Sequence, residues 1–358
     1  MMEWRLQRLQ NVLKQKSFAA VLVMQPENRR YLTGFTGSSG MAVVTVDAAY
    51  LLTDSRYTEQ AKFQSPHFAV IEHGPAQMFQ AACQVLQQRS VRAAAFEEDF
   101  VTFDQYRQLV EQLPSIELVP VKGLVETLRL VKDEQELEIM RTAANIADAA
   151  FLHIVKWIRP GLSEREVALE LEIFMRKQGA SGCSFETIVA SGPRSALPHG
   201  VASERVIQNN EFVTLDFGAV YQGYCSDITR TICMGTPDPR HKEIYGIVLE
   251  AQIQALAAIK PGMTGQEADA IARRRIEAHG FGECFGHSLG HGLGMAVHEQ
   301  PRLSKISDDV LEPGMVVTVE PGIYIPDFGG VRIEDDIVIT SAGNERLTHS
   351  AKELLLIR

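Results

Sequence analysis

From residue 18 to about residue 121, short apolar runs (FAAVLVM, MAVVTV, YLLT, FAVIE, VRAAAF and IELVP) alternate with helix-like stretches such as Ala76 to Arg89 and Phe103 to Leu113. Apolar runs of strand length interleaved with helical patterns predict an α/β domain built on a mixed sheet. Ahead of them, MMEWRLQRLQNVLKQ reads as an amphipathic helix. The apolar run that follows, Phe18 to Met24, is too short for a signal sequence or a membrane span. Beyond Val121 to Leu130 the pattern changes to one long charged helix, KDEQELEIMRTAANIADAAFLHIVKWI, stopped by Arg159-Pro160-Gly161. The reading is therefore two domains, residues 1–124 and 125–358.

The second domain repeats itself. IRPGLSEREVA at 158–168 realigns with IKPGMTGQEAD at 259–269, and NEFVTLD at 210–216 realigns with GMVVTVE at 314–320. Both copies of the first block place Ser or Thr three residues before Glu (Ser163 and Glu166, Thr264 and Glu267), the capping box that starts a helix by pairing its free N–H groups. Two half-domains follow, each with two helices and then a strand that ends in an acid.

Composition sets limits. The chain has 358 residues, 45% hydrophobic and 22% charged, which places it among globular proteins with length enough for a core. Lys plus Arg is 35 against 45 for Asp plus Glu, a net charge of −10, which argues against nucleic acid or an anionic membrane as partner. The five cysteines are scattered and form no CxxC pair, so neither a disulfide framework nor a zinc-thiolate site is indicated, and a reducing cytoplasm is expected.

The excess of acids is not randomly placed. Asp216 closes the apolar strand FVTLD, and a hairpin turning around Tyr221, Gln222 and Gly223 sets Asp227 opposite it. In the second half, Glu320 closes VVTVE and Glu334 stands opposite across the Pro326-Asp327-Phe328 turn. Opposed residues of an antiparallel pair share a face with Cβ atoms about 5 Å apart. Four carboxylates so arranged repel one another and lose solvation, which two divalent cations relieve. The alternative is that they are exposed turn residues or pair with Arg230 and Arg332; duplication of the arrangement favours cations. The run FGHSLGHGLGMAVHEQP adds His287, His291 and His298 on a glycine-rich loop or strand, offering a nitrogen ligand.

The segments LDFGAVYQGYCSDITRT, HSLGHGLGMAVHEQPR, VTVEPGIY and GGVRIEDD resemble the pita-bread metallopeptidases (family M24), in particular the group of Xaa-Pro dipeptidases (prolidases) and Xaa-Pro aminopeptidases (aminopeptidase P). YLTGF and LLTDSRY resemble that group's N-terminal domain. The resemblance implies an α+β chain: a C-terminal pita-bread fold with internal duplication, preceded by a smaller creatinase-type α/β domain. It implies two divalent ions held by Asp216, Asp227, His291, Glu320 and Glu334, with Asp227 and Glu334 contacting both. By the same resemblance His199 and His298 contact substrate and stabilise the tetrahedral intermediate, Glu320 relays a proton, and His287 and Arg332 support the site. Arg302 matches the Arg of some prolidases that recognises a free carboxylate. Four oxygen donors and one imidazole favour Mn2+, with Co2+ or Zn2+ as substitutes.

The implied reaction is hydrolysis of the Xaa-Pro bond of short peptides by a cytoplasmic homodimer. Dipeptidase and aminopeptidase readings both stand, the latter acting on longer peptides. Methionine aminopeptidases share the catalytic fold but usually lack an N-terminal domain of this size, and creatinase has altered ligand positions. A nonenzymatic peptide-binding protein on this fold is a further alternative, expected to have lost ligands.

Overall fold

The computed structural model describes residues 2–357. The chain divides into two compact units between Arg129 and Leu130. In the first, all six apolar runs become strands: β1 (Ala20–Val23), β2 (Met41–Thr45), β3 (Ala49–Asp54), β4 (Ala69–His73), β5 (Ala93–Glu97) and β6 (Glu117–Val121). They form one sheet in the order β4-β3-β2-β1-β5-β6, with β1–β2 and β2–β3 antiparallel and the other three pairings parallel. Burial explains that order. The unbroken apolar strands β1 and β2 are buried at every position and lie centrally, while β4 and β6 alternate with exposed residues and lie at the edges. Pro120 sits in edge strand β6, where a missing N–H costs no ladder bond.

Among the described residues the unit also has the helices α1 (Met2–Gln15), α2 (Pro26–Thr33), α3 (Thr58–Gln64), α4 (Met78–Gln88), α5 (Phe103–Gln112) and α6 (Glu126–Arg129). Leu86 of α4 and Leu109 of α5 pack on Leu22, Val43 and Phe96. Each such buried side chain contributes roughly 1.5–3 kcal/mol.

In the second unit, α7 (Glu134–Trp157) and α8 (Glu164–Lys177) lead into β7 (Gly182–Cys183), β8 (Ile188–Ser191), β9 (Glu211–Phe217), β10 (Ala219–Tyr221), β11 (Tyr224–Cys225) and β12 (Ile228–Met234). Then α9 (Pro239–Ala258) and α10 (Gly265–Ala278) lead into β13 (Gly290–Gly292), β14 (Glu299–Leu303), β15 (Val316–Val319), β16 (Gly322–Ile325), β17 (Gly329–Arg332), β18 (Asp335–Thr340), β19 (Gly343–Arg346) and β20 (Leu356–Ile357). The repeat is physical. Both capping boxes form, and α8 and α10 are each 14 residues long. Gly161 N–H donates to Ile207 O and Gly262 N–H to Leu311 O, and Ser163 bridges Val206 as Thr264 bridges Val310. Each half has its own apolar core, one around Phe151, Leu171, Leu215 and Ile232, the other around Val248, Ile276, Val317 and Ile337.

The two hairpins differ from each other. Val316–Val319 pairs with Asp335–Val338 and Gly322–Ile325 with Gly329–Arg332 in one continuous register, so Glu320 and Glu334, between the two blocks, face each other as expected. In the first half the expected register is displaced: Asp216 pairs with Thr229, not Asp227. The turn there has two residues, Gln222 and Gly223, both at positive φ (46° and 87°), the tight form that matches strand twist. Asp227 still lies two residues from Thr229, so it stays on the same side as Asp216 as a diagonal neighbour.

Candidate metal centre

One cavity of about 410 Å3 in the second unit is lined by all ten candidate residues. Asp216 reaches it from β9, Asp227 from the break between β11 and β12, His291 from β13, Glu320 from the end of β15, and Glu334 from the junction of β17 and β18. Within the glycine-rich run, Gly290–Gly292 forms a short strand, and neighbouring backbone there leaves no room for side chains on the two glycines. A Cβ on Gly290 would lie 2.0 Å from Thr318 O, and one on Gly292 2.1 Å from Gln300 O. A bulge between His291 and Gly292 then turns the chain at the ligand position.

Asp227, His291 and Glu334 bring ligand atoms within 4.8 Å of one another. Nε2 of His291 lies 3.9 Å from Asp227 Oδ2 and 3.4 Å from Glu320 Oε1. Its Nδ1 faces Gly292 O at 3.1 Å, and a carbonyl only accepts, so Nδ1 carries the proton and the Nε2 lone pair points at the acids. Burial holds this imidazole down to about 3, so it stays neutral.

The carboxylates are only half satisfied. Asp216 Oδ2 accepts from Arg332, Glu334 Oε2 accepts from Thr229 Oγ1 at 2.5 Å, and Glu320 Oε1 accepts from Thr318 Oγ1 at 3.1 Å. Asp216 Oδ1, Asp227 Oδ1 and Glu334 Oε1 are buried without a hydrogen-bond partner. Arg332 therefore hydrogen-bonds one of the four acids, while Arg230 is engaged elsewhere, with Asp335 at 2.7 Å. Burial pushes Asp227 and Glu334 well above the ordinary carboxylate range, and neighbouring acids push them further. Glu320 is raised to about 7 by burial, with Arg332 opposing and Asp216 adding to the rise. Orphaned buried acceptors facing a neutral imidazole are what hard divalent cations complete, so the residues present fit such ions.

The other sequence candidates surround this core. His298 is exposed, its ring 4.4 Å from that of His291, and burial of part of it lowers its proton affinity. His287 is half-buried, with Nε2 2.8 Å from the Tyr324 hydroxyl, and is lowered to about 4 by burial and then by Arg332. His199 and Arg302 are exposed on the cavity wall. Arg302 pairs directly with His291 between β13 and β14, which puts both side chains on one face. Sequence reasoning missed Tyr324, whose hydroxyl accepts from Arg332 Nη1 at 2.7 Å, together with Thr229, Thr318 and Asp336. The last three each stand two positions from a candidate ligand and so share its strand face, a signal present in the alternation.

Residues 138–341 match the model of metallopeptidase family M24, and residues 5–131 that of the creatinase/prolidase N-terminal domain. The fold matches a solved Xaa-Pro dipeptidase from Bacillus anthracis with a TM-score of 0.97 and 50% identity, covering 99% of this chain and 100% of that one. An X-Pro aminopeptidase from Thermotoga maritima gives 0.91 and 40% identity, covering 97% and 100%. The Xaa-Pro dipeptidase of Pyrococcus furiosus is 41% identical over 355 residues, 99% of this chain and 100% of the relative. With matches along almost its whole length, the chain belongs to metallopeptidase family M24, carrying a creatinase/prolidase-type N-terminal domain.

Proposed function

We propose that the chain is an Xaa-Pro dipeptidase, with Asp216, Asp227, His291, Glu320 and Glu334 holding two divalent ions, most favourably Mn2+. The observation that carries the reading is the set of three buried, partnerless carboxylate oxygens on Asp216, Asp227 and Glu334. Bound there, the ions supply Lewis acidity toward the scissile carbonyl and bring a water's acidity toward neutral pH.

The chain's own groups do the rest. Glu320, oriented by Thr318 Oγ1, takes the proton of the attacking water and passes it to the leaving ring nitrogen. His199 and His298 donate to the developing oxyanion, a contribution of about 3–4 kcal/mol per donor in other hydrolases. Arg332 orients Asp216 while Tyr324 links Arg332 to His287. Proline calls for such a site because its bond is a tertiary amide without an N–H.

A dipeptidase must also hold the carboxylate just beyond proline, and Arg302, on the His291 face, supplies a planar fork for it. The Xaa-Pro dipeptidase name of the Bacillus anthracis and Pyrococcus furiosus relatives supports this choice. The Thermotoga maritima structure named X-Pro aminopeptidase favours a second reading, action on longer peptides. Rates on a Met-Pro dipeptide and a Met-Pro-Xaa tripeptide separate them: the dipeptide is expected to be cleaved faster, and Arg302→Ala to raise its KM. Preference for the tripeptide overturns the dipeptidase assignment. Restoration of chelated enzyme by Mn2+ above Zn2+ is expected from the oxygen-rich donor set.

The reading extends to a homodimer in a reducing cytoplasm. All five cysteines are free, and no helix among the described residues is long and apolar enough to cross a membrane. Sedimentation at micromolar concentration is expected to give the mass of two chains.

A further inference from the structure

The geometry points to Asp336 as a positioning residue for the metal ligand Asp227, acting through its backbone. The inference rests on the ligand assignment above and goes beyond it, since Asp336 neither lines the cavity nor belongs to the group of converging ligand atoms.

Asp227 lies in the gap between β11, which ends at Cys225, and β12, which begins at Ile228, opposite Gly218. The adjoining pair is bonded, Ser226 N–H to Ala219 O at 3.0 Å, so Asp227 and Gly218 turn their peptide groups away from each other: Gly218 O accepts from Ser184 N–H at 2.9 Å, and the Asp227 N–H needs a partner outside this hairpin. A buried peptide N–H left without a partner destabilises the fold. Here the N–H of Asp227 donates to Asp336 Oδ2 at 2.8 Å.

That bond is the last in a seam joining the two half-domains. Thr231 and Arg332 exchange two bonds, Thr231 Oγ1 to Arg332 O at 3.0 Å and Arg332 N–H to Thr231 Oγ1 at 3.1 Å. Two residues back on one side and two on along the other, Glu334 N–H donates to Thr229 O at 3.1 Å and Thr229 Oγ1 to Glu334 Oε2 at 2.5 Å. One more step of two brings Asp227 to Asp336. The seam thus ends with an acid of the second half gripping the peptide that carries a ligand of the first.

The neighbour across the strand does the same for another ligand. Thr318 pairs with Asp336 between β15 and β18, and its Oγ1 accepts from His291 N–H at 3.1 Å. The Asp336 carboxylate is 1% exposed and its Oδ1 has no partner. A buried, half-satisfied acid is a stability cost that packing alone does not explain, whereas fixing Asp227 does.

The test is calorimetric titration of the metal-free full chain with Mn2+, on wild type, Asp336→Asn and Asp336→Leu. Asn keeps a side-chain oxygen for the Asp227 N–H; Leu keeps the branched outline and removes the acceptor. Wild type is expected to take two ions, and failure of that counts against the metal-centre reading itself. The Leu variant is expected to bind one of the two ions about 10–100-fold more weakly, the usual effect of losing a group that orients a ligand. The Asn variant is expected to stay within about threefold of wild type. Wild-type affinity for both ions in a folded Leu variant overturns the proposal. Should the Leu variant fail to fold by circular dichroism, the Asn variant decides: a tenfold or greater loss there overturns the proposal, because the acceptor is retained.

Discussion

Asp216, Asp227 and Glu334 each keep one buried oxygen without a hydrogen-bond partner among the described residues, and the proposed chemistry starts from those three atoms. Asp227→Ala and Glu334→Ala are each expected to lose both ions and turnover, read by metal content of the purified protein. The metal-free protein has a pH signature with a definite sign. Because burial raises Asp227 and Glu334 in the folded state, the native chain holds protons that the unfolded chain has released. Their contribution to stability is therefore full below the ordinary carboxylate value near 4 and falls as pH rises toward the raised values. Relative to Glu334→Gln, metal-free wild type is expected to lose melting temperature as pH rises above the ordinary carboxylate value near 4, at roughly 1.4 kcal/mol for each tenfold difference in proton affinity between the folded and unfolded chain. Saturating Mn2+ is expected to reverse that difference in favour of wild type; parallel melting curves at all pH values contradict the picture. At this scale the sequence showed acids, one imidazole and their spacing. It did not show Thr229, Thr318 or Asp336 as their partners: Thr229 meets Glu334 and Asp336 meets Asp227 across a seam between segments 105 and 109 residues apart in the chain, and Thr318 meets His291 only where separate strands are brought together.

The two helix starts are the clearest test of duplication at the level of elements. Ser163→Ala and Thr264→Ala each remove one capping box and are expected to cost about 1 kcal/mol apiece in denaturant unfolding, with similar values because the geometry is the same. Gly290→Ala is expected to cost more, about 1–3 kcal/mol, and to weaken metal binding, since its Cβ would collide with Thr318 backbone beside His291. A neutral Gly290→Ala contradicts the crowding around this short strand. The elements were legible wherever local pattern settles the outcome: six apolar runs became six strands, and both capping boxes formed. The second hairpin was legible because a three-residue loop centred on Asp327 leaves Glu320 and Glu334 opposed. The first was misread by one residue along the turn. Gln222-Gly223 forms a two-residue turn, and that single difference moves every pairing, so Asp216 meets Thr229.

At the scale of the molecule, two related halves contribute acids to one cavity, and each half depends on the other through that cavity and the seam beside it. Metal removal is therefore expected to lower the melting temperature of the second unit as well as abolish activity. Each site filled at a hundred times its dissociation constant adds about 2.7 kcal/mol, which vanishes on chelation. The internal repeat made the paired-acid arrangement readable from sequence, whereas the convergence of all ten candidate side chains on one cavity depends on how the halves close and became visible only in the fold. The most direct test is anomalous diffraction at the manganese edge from crystals grown with excess Mn2+. Two peaks about 3.5–4 Å apart, enclosed by Asp216, Asp227, His291, Glu320 and Glu334, are expected. A cavity without anomalous density, or ions bound only elsewhere, contradicts the account.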